Sequence, residues 1–135
     1  MSWGLSDALR NARITLVKTA IDAGSLAGLL RLYSGTKPAV GAAITTQVLQ
    51  CTIAFADPCG TVSGPTLTFD AAGSVDGTRV DDKAITWARV VDSDGNFVAD
   101  AVVSISGGGG DIIINSTTGS IGAFIELVSG SLTEA

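Results

Sequence analysis

The sequence predicts a mainly β protein: an antiparallel β-sandwich or jelly-roll-like body preceded by one N-terminal α-helix. Three observations carry this expectation. Apolar residues recur at a helical period up to Gly24 and at a period close to two after it. Glycine supplies 17 of 135 residues, against a usual share of about 7%, which suits many tight turns. Charged residues make up only 16%, well short of the ~25% of an average domain; a helical bundle would need more Lys and Glu.

The helix is expected over residues 6–23. Ser6 can cap its start, Asp7 suits the positive end of the helix dipole, and Gly24 supplies the stop. At 100° per residue, Leu5, Leu9, Ala12, Leu16 and Ala20 form one apolar stripe, which is expected to dock on the sheet. Ile14, Val17 and Ile21 form a second strip beside the polar side. Two strips need two partners, and the second is either another part of the chain or a neighbouring subunit.

The strands follow in order. Leu29 to Ser34 alternates, with Leu30 and Leu32 on one face and Leu29, Arg31 and Tyr33 on the other. The segment Gln47 to Phe55 is expected to turn Leu49, Cys51, Ile53 and Phe55 inward and Gln50 and Thr52 outward. After a turn at Asp57 to Gly60 comes a short strand, Thr66 to Phe69, and then a polar loop from Asp70 to Lys83. Ala84 to Val91 and Phe97 to Ile105 form a hairpin about Asp94-Gly95. In it Ile85, Trp87 and Val91 share a face and Trp87 is expected in the core, while Arg89 lies at the sheet's end or stacks on a neighbour. After four glycines at 107–110, Asp111 to Asn115, Ile121 to Val128 and an edge piece at Leu132 to Glu134 complete seven or eight strands. No crossover helices separate them, so antiparallel pairing is expected. Residues 1–27 read as arm and helix and residues 28–135 as body, a single domain overall.

Composition excludes several chemistries. The chain has no His, so neither a His base nor a His metal ligand is available. A net charge of −5 disfavours nucleic acid as a partner. No apolar run approaches the ~18 residues of a membrane span, and the first residues lack the pattern of a signal peptide; synthesis and folding in a cytoplasm are expected. Cys51 and Cys59 lack redox-pair spacing and read as ordinary small, partly buried thiols. The glycines at 107–110 lack the Lys-Ser/Thr of a phosphate loop. Asp92 to Asn96 fails the calcium-loop pattern, because Phe97 stands where glycine is required. Asp76, Asp81 and Asp82 read as a solvated acidic loop. No catalytic residue, cofactor or metal is expected.

Several runs resemble a known group. Ala20-Ile21-Asp22-Ala23-Gly24, Leu30-Arg31-Leu32-Tyr33-Ser34-Gly35-Thr36-Lys37-Pro38-Ala39, Phe55-Ala56-Asp57-Pro58 and Thr86-Trp87-Ala88-Arg89-Val90-Val91-Asp92-Ser93-Asp94-Gly95 resemble a family of small virion proteins of tailed bacteriophages. The resemblance covers most of residues 20–115. It implies a structural role in the virion, with assembly in the host cytoplasm, and does not fix the head, the neck or the tail. One compact β domain with an arm fits a capsid decoration or cement protein bound to the major capsid protein or another virion protein. A neck, tail or baseplate subunit is the alternative, and a carbohydrate-binding β-sandwich module is an alternative of another class.

Residues 1–40 carry a net charge of +3 and residues 41–135 a net −8, so an arm could meet another subunit's body. The expected partner-binding residues are Trp3, Leu5, Arg10 and Arg13, with Ile14, Val17 and Ile21 expected to join copies, a homotrimer being favoured. Trp3 reads equally as an anchor in a partner's pocket or a lid on its own helix.

Overall fold

A computed structural model describes residues 4–71 and 77–133. The chain is mainly β with one N-terminal helix. Helix α1 (Asp7–Ile21) is followed by β1 (Leu29–Ser34), β2 (Val48–Ser63), β3 (Thr66–Ala71), β4 (Gly77–Thr78), β5 (Ile85–Val91), β6 (Phe97–Ser104), β7 (Ile112–Ile114), β8 (Phe124–Ile125) and β9 (Leu127–Thr133).

Seven strands close into a barrel in the order β1-β2-β3-β9-β7-β6-β5, with β5 returning to β1; β4 and β8 form a separate two-stranded pair. Two features depart from the sequence expectation. The sheet closes on itself where a sandwich or jelly roll was expected, because β1 pairs on both its edges, with β2 and with β5. In addition, β6 and β7 run parallel, whereas the remaining barrel pairs are antiparallel. A parallel pair usually needs a long crossover. Here the ladder is only Val103 with Ile112 and Ser104 with Ile113, so the glycine-rich loop has little distance to return. That loop packs tightly: a Cβ on Gly110 would lie 2.9 Å from Ser104 N and Val102 O, and Gly110 N donates to Ser104 Oγ. Gly108 and Gly110 therefore serve close packing, while Gly107 and Gly109, at φ +87° and +82°, take backbone conformations that favour glycine.

The barrel interior is built by alternate residues of every strand, among them Leu30, Leu32, Ile53, Phe55, Leu67, Val90, Val103 and Ile112, all buried. Phe55 and Phe69 stack within it, ring centroids 4.7 Å apart. Bulges reset the alternation and change which residues face inward. Between Leu32 and Tyr33 the β1–β2 register slips, leaving Leu49 opposite Tyr33. Leu49 is consequently exposed and Gln50 is buried, the reverse of the expected pattern. Between Tyr33 and Ser34 the β1–β5 register also slips, so Ile85 joins the barrel interior while Trp87, fully buried as expected, packs on the other side of the sheet against Tyr33. A third slip, between Val90 and Val91, places Phe97 opposite Val91 and leaves it partly exposed.

Helix α1 starts as expected. Ser6 accepts from Leu9 N at 3.2 Å, and Asp7 lies in the first turn. It ends earlier than Gly24, with Asp22 as C-cap, and the Asp22 carboxylate accepts from Cys59 N at 3.0 Å, tying the helix end to β2. The face turned to the barrel is the one carrying Ile14, Val17 and Ile21. Ile14 and Ile21 are buried in the barrel's own core cluster and Val17 packs against it.

Candidate functional site

The outer face of β1, β5 and β6 carries a second packed cluster, separate from the barrel interior. Tyr33 of β1 and Trp87 of β5 stand opposite each other, and their rings stack 4.6 Å apart at 14°. The Arg89 guanidinium lies 5.3 Å from the Trp87 ring centroid and 5.1 Å from that of Phe97. Opposite Arg89 on β6 is Asp100, and the two form a bidentate pair: Nε to Oδ1 at 2.8 Å and Nη2 to Oδ2 at 3.0 Å. The Asp100 side chain is fully buried.

Burial pushes the Asp100 carboxyl up, but Arg89's hydrogen bonds, the Gly41 N–H and the charges of Arg89 and Lys37 outweigh it, and the net shift is downward. The hydrogen bonds to Asp100 conversely hold Arg89 above its ordinary value. Asp100 also fastens the connection between β1 and β2. Gly41 N donates to Oδ2 at 3.0 Å, so this strap, residues 35–47, is pulled across the cluster. Gln47 Nε2 donates to Thr36 O at 2.7 Å and closes the strap's base. Val40, at its tip, is exposed.

A second buried polar group lies where β2 meets the loop before β5. Gln50 Nε2 donates to Ser34 Oγ and to Asp81 Oδ1, and Asp81 N donates back to Gln50 Oε1. Arg79, equally buried, spends its guanidinium on backbone carbonyls of Asp81, Lys83 and Thr117. Lys83 N–H, donating to the Asp81 carboxylate, is the main cause of that group's lowered pKa. Asp81 is thus engaged within the chain rather than standing in a solvated acidic loop; Asp76 lies outside the described residues.

In the hairpin turn, Asp92 accepts from Asp94 N, Asn96 N and Asn96 Nδ2, and Gly95 adopts a φ of +88°. The Asn96 side chain is the main cause of Asp92's lowered pKa.

Asp81, Asp92 and Asp100 all titrate below their ordinary range, so the unfolded chain binds more protons as the solution becomes acidic. Their contribution to stability is complete above the unfolded value of about 3.9 and is lost as pH falls through the lower folded values. Urea midpoints should therefore hold steady between roughly pH 5 and pH 7 and drop steeply below about pH 4; a midpoint that rises on acidification would contradict these assignments.

The N-terminal residues separate into two groups. Trp3 lies outside the described residues. Leu5 is half-buried, Arg10 pairs with Asp7, and Arg13 is exposed. Ile14, Val17 and Ile21, expected to bind a neighbour, are instead this chain's own core contacts, because the barrel receives the face opposite to the expected one. The stripe expected to dock is turned outward: Leu9 is 54% exposed and Leu16 67%. Sequence reasoning found two faces but exchanged their roles. It missed Gln50, Arg79 and Asp100, whose burial depends on bulges and long-range partners.

Cys51 and Cys59 are free and buried. Burial pushes the Cys51 thiol up to about 11, and burial together with the Asp22 charge pushes Cys59 up to about 12. Among the described residues there is no cavity, and no three of His, Cys, Asp and Glu lie together as metal ligands would. Among the described residues no helix is long and apolar enough to cross a membrane. Comparison with protein-family models, curated proteins and solved structures finds no match.

Proposed function

We propose that this chain is a non-catalytic structural protein of a tailed-bacteriophage virion, a capsid decoration or cement protein that binds the major capsid protein. The observation that carries this reading is the distribution of apolar side chains on the surface. Leu9 and Leu16 on α1, Val40 on the strap, Val102 on β6, Ile121 and Phe124 around β8, and Val128 on β9 are all at least half exposed. Leu9 and Leu16 share the outward face of α1, and Ile121 and Phe124 lie together beside β8; apolar side chains grouped on one element, rather than scattered singly, are what a contact surface offers a neighbour. The buried Arg89, Asp100, Gln50 and Arg79 side chains meanwhile have their hydrogen bonds inside the chain, which supports a scaffold role over a reactive one. The resemblance read in the sequence, over most of residues 20–115, to small phage virion proteins supports the same reading.

A neck, tail or baseplate subunit would use the same surfaces at lower copy number. A carbohydrate-binding module is disfavoured because Tyr33, Trp87, Phe55 and Phe69 are buried, and the exposed rings of Phe97 and Phe124 stand on separate sheets, β6 of the barrel and β8 of the two-stranded pair. The test is to add purified chain to phage heads that lack it. Saturable binding over the shell, with a higher temperature of head rupture, is expected. Binding confined to the tail vertex would overturn the decoration reading in favour of the neck, and binding to no part of the particle would overturn both.

A further inference from the structure

We infer that Arg31 of β1, together with Lys37 of the strap, is a docking site for the carboxylates of an acidic segment of a partner protein. Residues opposite one another in the ladders form a row across four strands: Thr52 of β2, Arg31 of β1, Arg89 of β5 and Asp100 of β6. Directly opposed side chains stand on the same face of a sheet, so two arginines are neighbours, an arrangement that costs stability. The carboxylate in the row serves only one of them. Asp100 gives both its oxygens to Arg89 and takes the Gly41 N–H as well. Arg31, half-buried, reaches instead to the hairpin turn, its Nη2 3.6 Å from the position a Cβ would take on Gly95. The turn does not neutralise it. Asp92 accepts from the turn's own N–H groups, and neither Asp92 nor Asp94 forms an ion pair with Arg31 among the described residues. Lys37 is near enough for its charge to act on Asp100, and it too forms no ion pair among the described residues. The face is also short of acceptors: Trp87 Nε1, two residues along β5 from Arg89, is buried without one among the described residues.

Charge selects the occupant. The chain as a whole carries −5, yet this row and the strap above it hold Arg31, Arg89 and Lys37 against Asp100 alone. A segment bearing Asp or Glu matches that excess, and an arginine fork takes a carboxylate in two parallel hydrogen bonds. Nucleic acid would bring its phosphates against an acidic body, which repels them. A small anion would need a pocket to enclose it, and no cavity exists among the described residues. A second copy also offers acidic groups, but the like net charge of the two chains opposes its approach. Two arginines side by side are, moreover, a local conflict that folding does not reward, and such conflicts collect where a chain does its work.

The test uses the free full chain and does not depend on the virion reading. A fluorescein-labelled oligoglutamate peptide serves as probe, followed by fluorescence anisotropy at low ionic strength. Saturable binding that weakens with added salt is expected. The net charge of the chain repels this probe, so its binding requires a local site. Arg31→Gln and Lys37→Gln should each weaken it by about 5-fold. Lys83→Gln, which removes a basic group from the loop before β5, should leave it unchanged. Arg31→Lys keeps the charge but loses the fork, and should fall between wild type and Arg31→Gln. Urea denaturation gives a second readout. Removing Arg31 relieves its opposition to Arg89, so the midpoint of Arg31→Gln should match or exceed that of wild type. A marked fall in that midpoint would make Arg31 a structural residue and overturn the inference. So would absence of binding, equal weakening by Lys83→Gln, or tighter binding of an oligonucleotide duplex than of the peptide. Self-association of the unmodified chain that Arg31→Gln abolishes would assign the site to a second copy and overturn the separate partner.

Discussion

Replacing Asp100 with alanine is expected to be among the most damaging single changes to this protein, costing about 3–5 kcal/mol, the usual loss when one member of a buried ion pair is removed. Asp100 is fully buried and bidentate to Arg89, whose side chain is only 10% exposed. Alanine would strand the guanidinium between the Trp87 and Phe97 rings with its main anionic partner gone. The same change deprives Gly41 N of its acceptor and releases the strap from the barrel wall. Asp100→Asn should cost less, since an amide oxygen still accepts from Arg89. Urea denaturation checks both, with the midpoint falling in the order wild type, Asn, Ala. A loss under ~1 kcal/mol for alanine would place the pair among exposed salt bridges of little consequence.

Ile21→Asp should be comparably severe, and Leu16→Asp should not be. Ile21 is fully buried where the helix end meets the barrel, and the position a Cβ would take on Gly28 lies 2.4 Å from its Cγ2, so there is no slack for a carboxylate to reach water. Even truncation to alanine removes buried methyls, at a typical cost of about 2–5 kcal/mol; a buried unpaired charge adds desolvation on top. Leu16, 67% exposed, should change stability by about 0.5 kcal/mol or less, as surface substitutions do. Thermal melts of the two variants separate the faces. Equal melting temperatures would show that the helix does not dock through Ile14 and Ile21.

Much of the fold was legible because local physics dictates it. The Ser6 cap and the change of period after Gly24 located the helix, strict alternation gave β1 from Leu29 to Ser34, and Asp94-Gly95 marked the hairpin. What was not legible depends on register. A bulge has no sequence mark of its own, yet one beside Leu32 buries Gln50 and exposes Leu49, and another beside Tyr33 parts Ile85 from Trp87, which stays fully buried but on the other side of the sheet. Closure into a barrel depends on β1 accepting partners on both edges, which alternation does not specify. The helix faces were exchanged because the outward stripe has more apolar residues than the inward one. The inward strip, however, has the β-branched Ile14, Val17 and Ile21, and the few charges sit beside it. Nothing in the local pattern singles out Asp100; its role depends on Arg89 standing opposite it across the hairpin.

The most direct test of the central claim is the number of copies of this chain in purified particles, measured by quantitative mass spectrometry against the major capsid protein. A capsid decoration protein should be present in numbers comparable to that protein. Absence from the particle would contradict a virion role altogether, and a few tens of copies or fewer would contradict the decoration assignment.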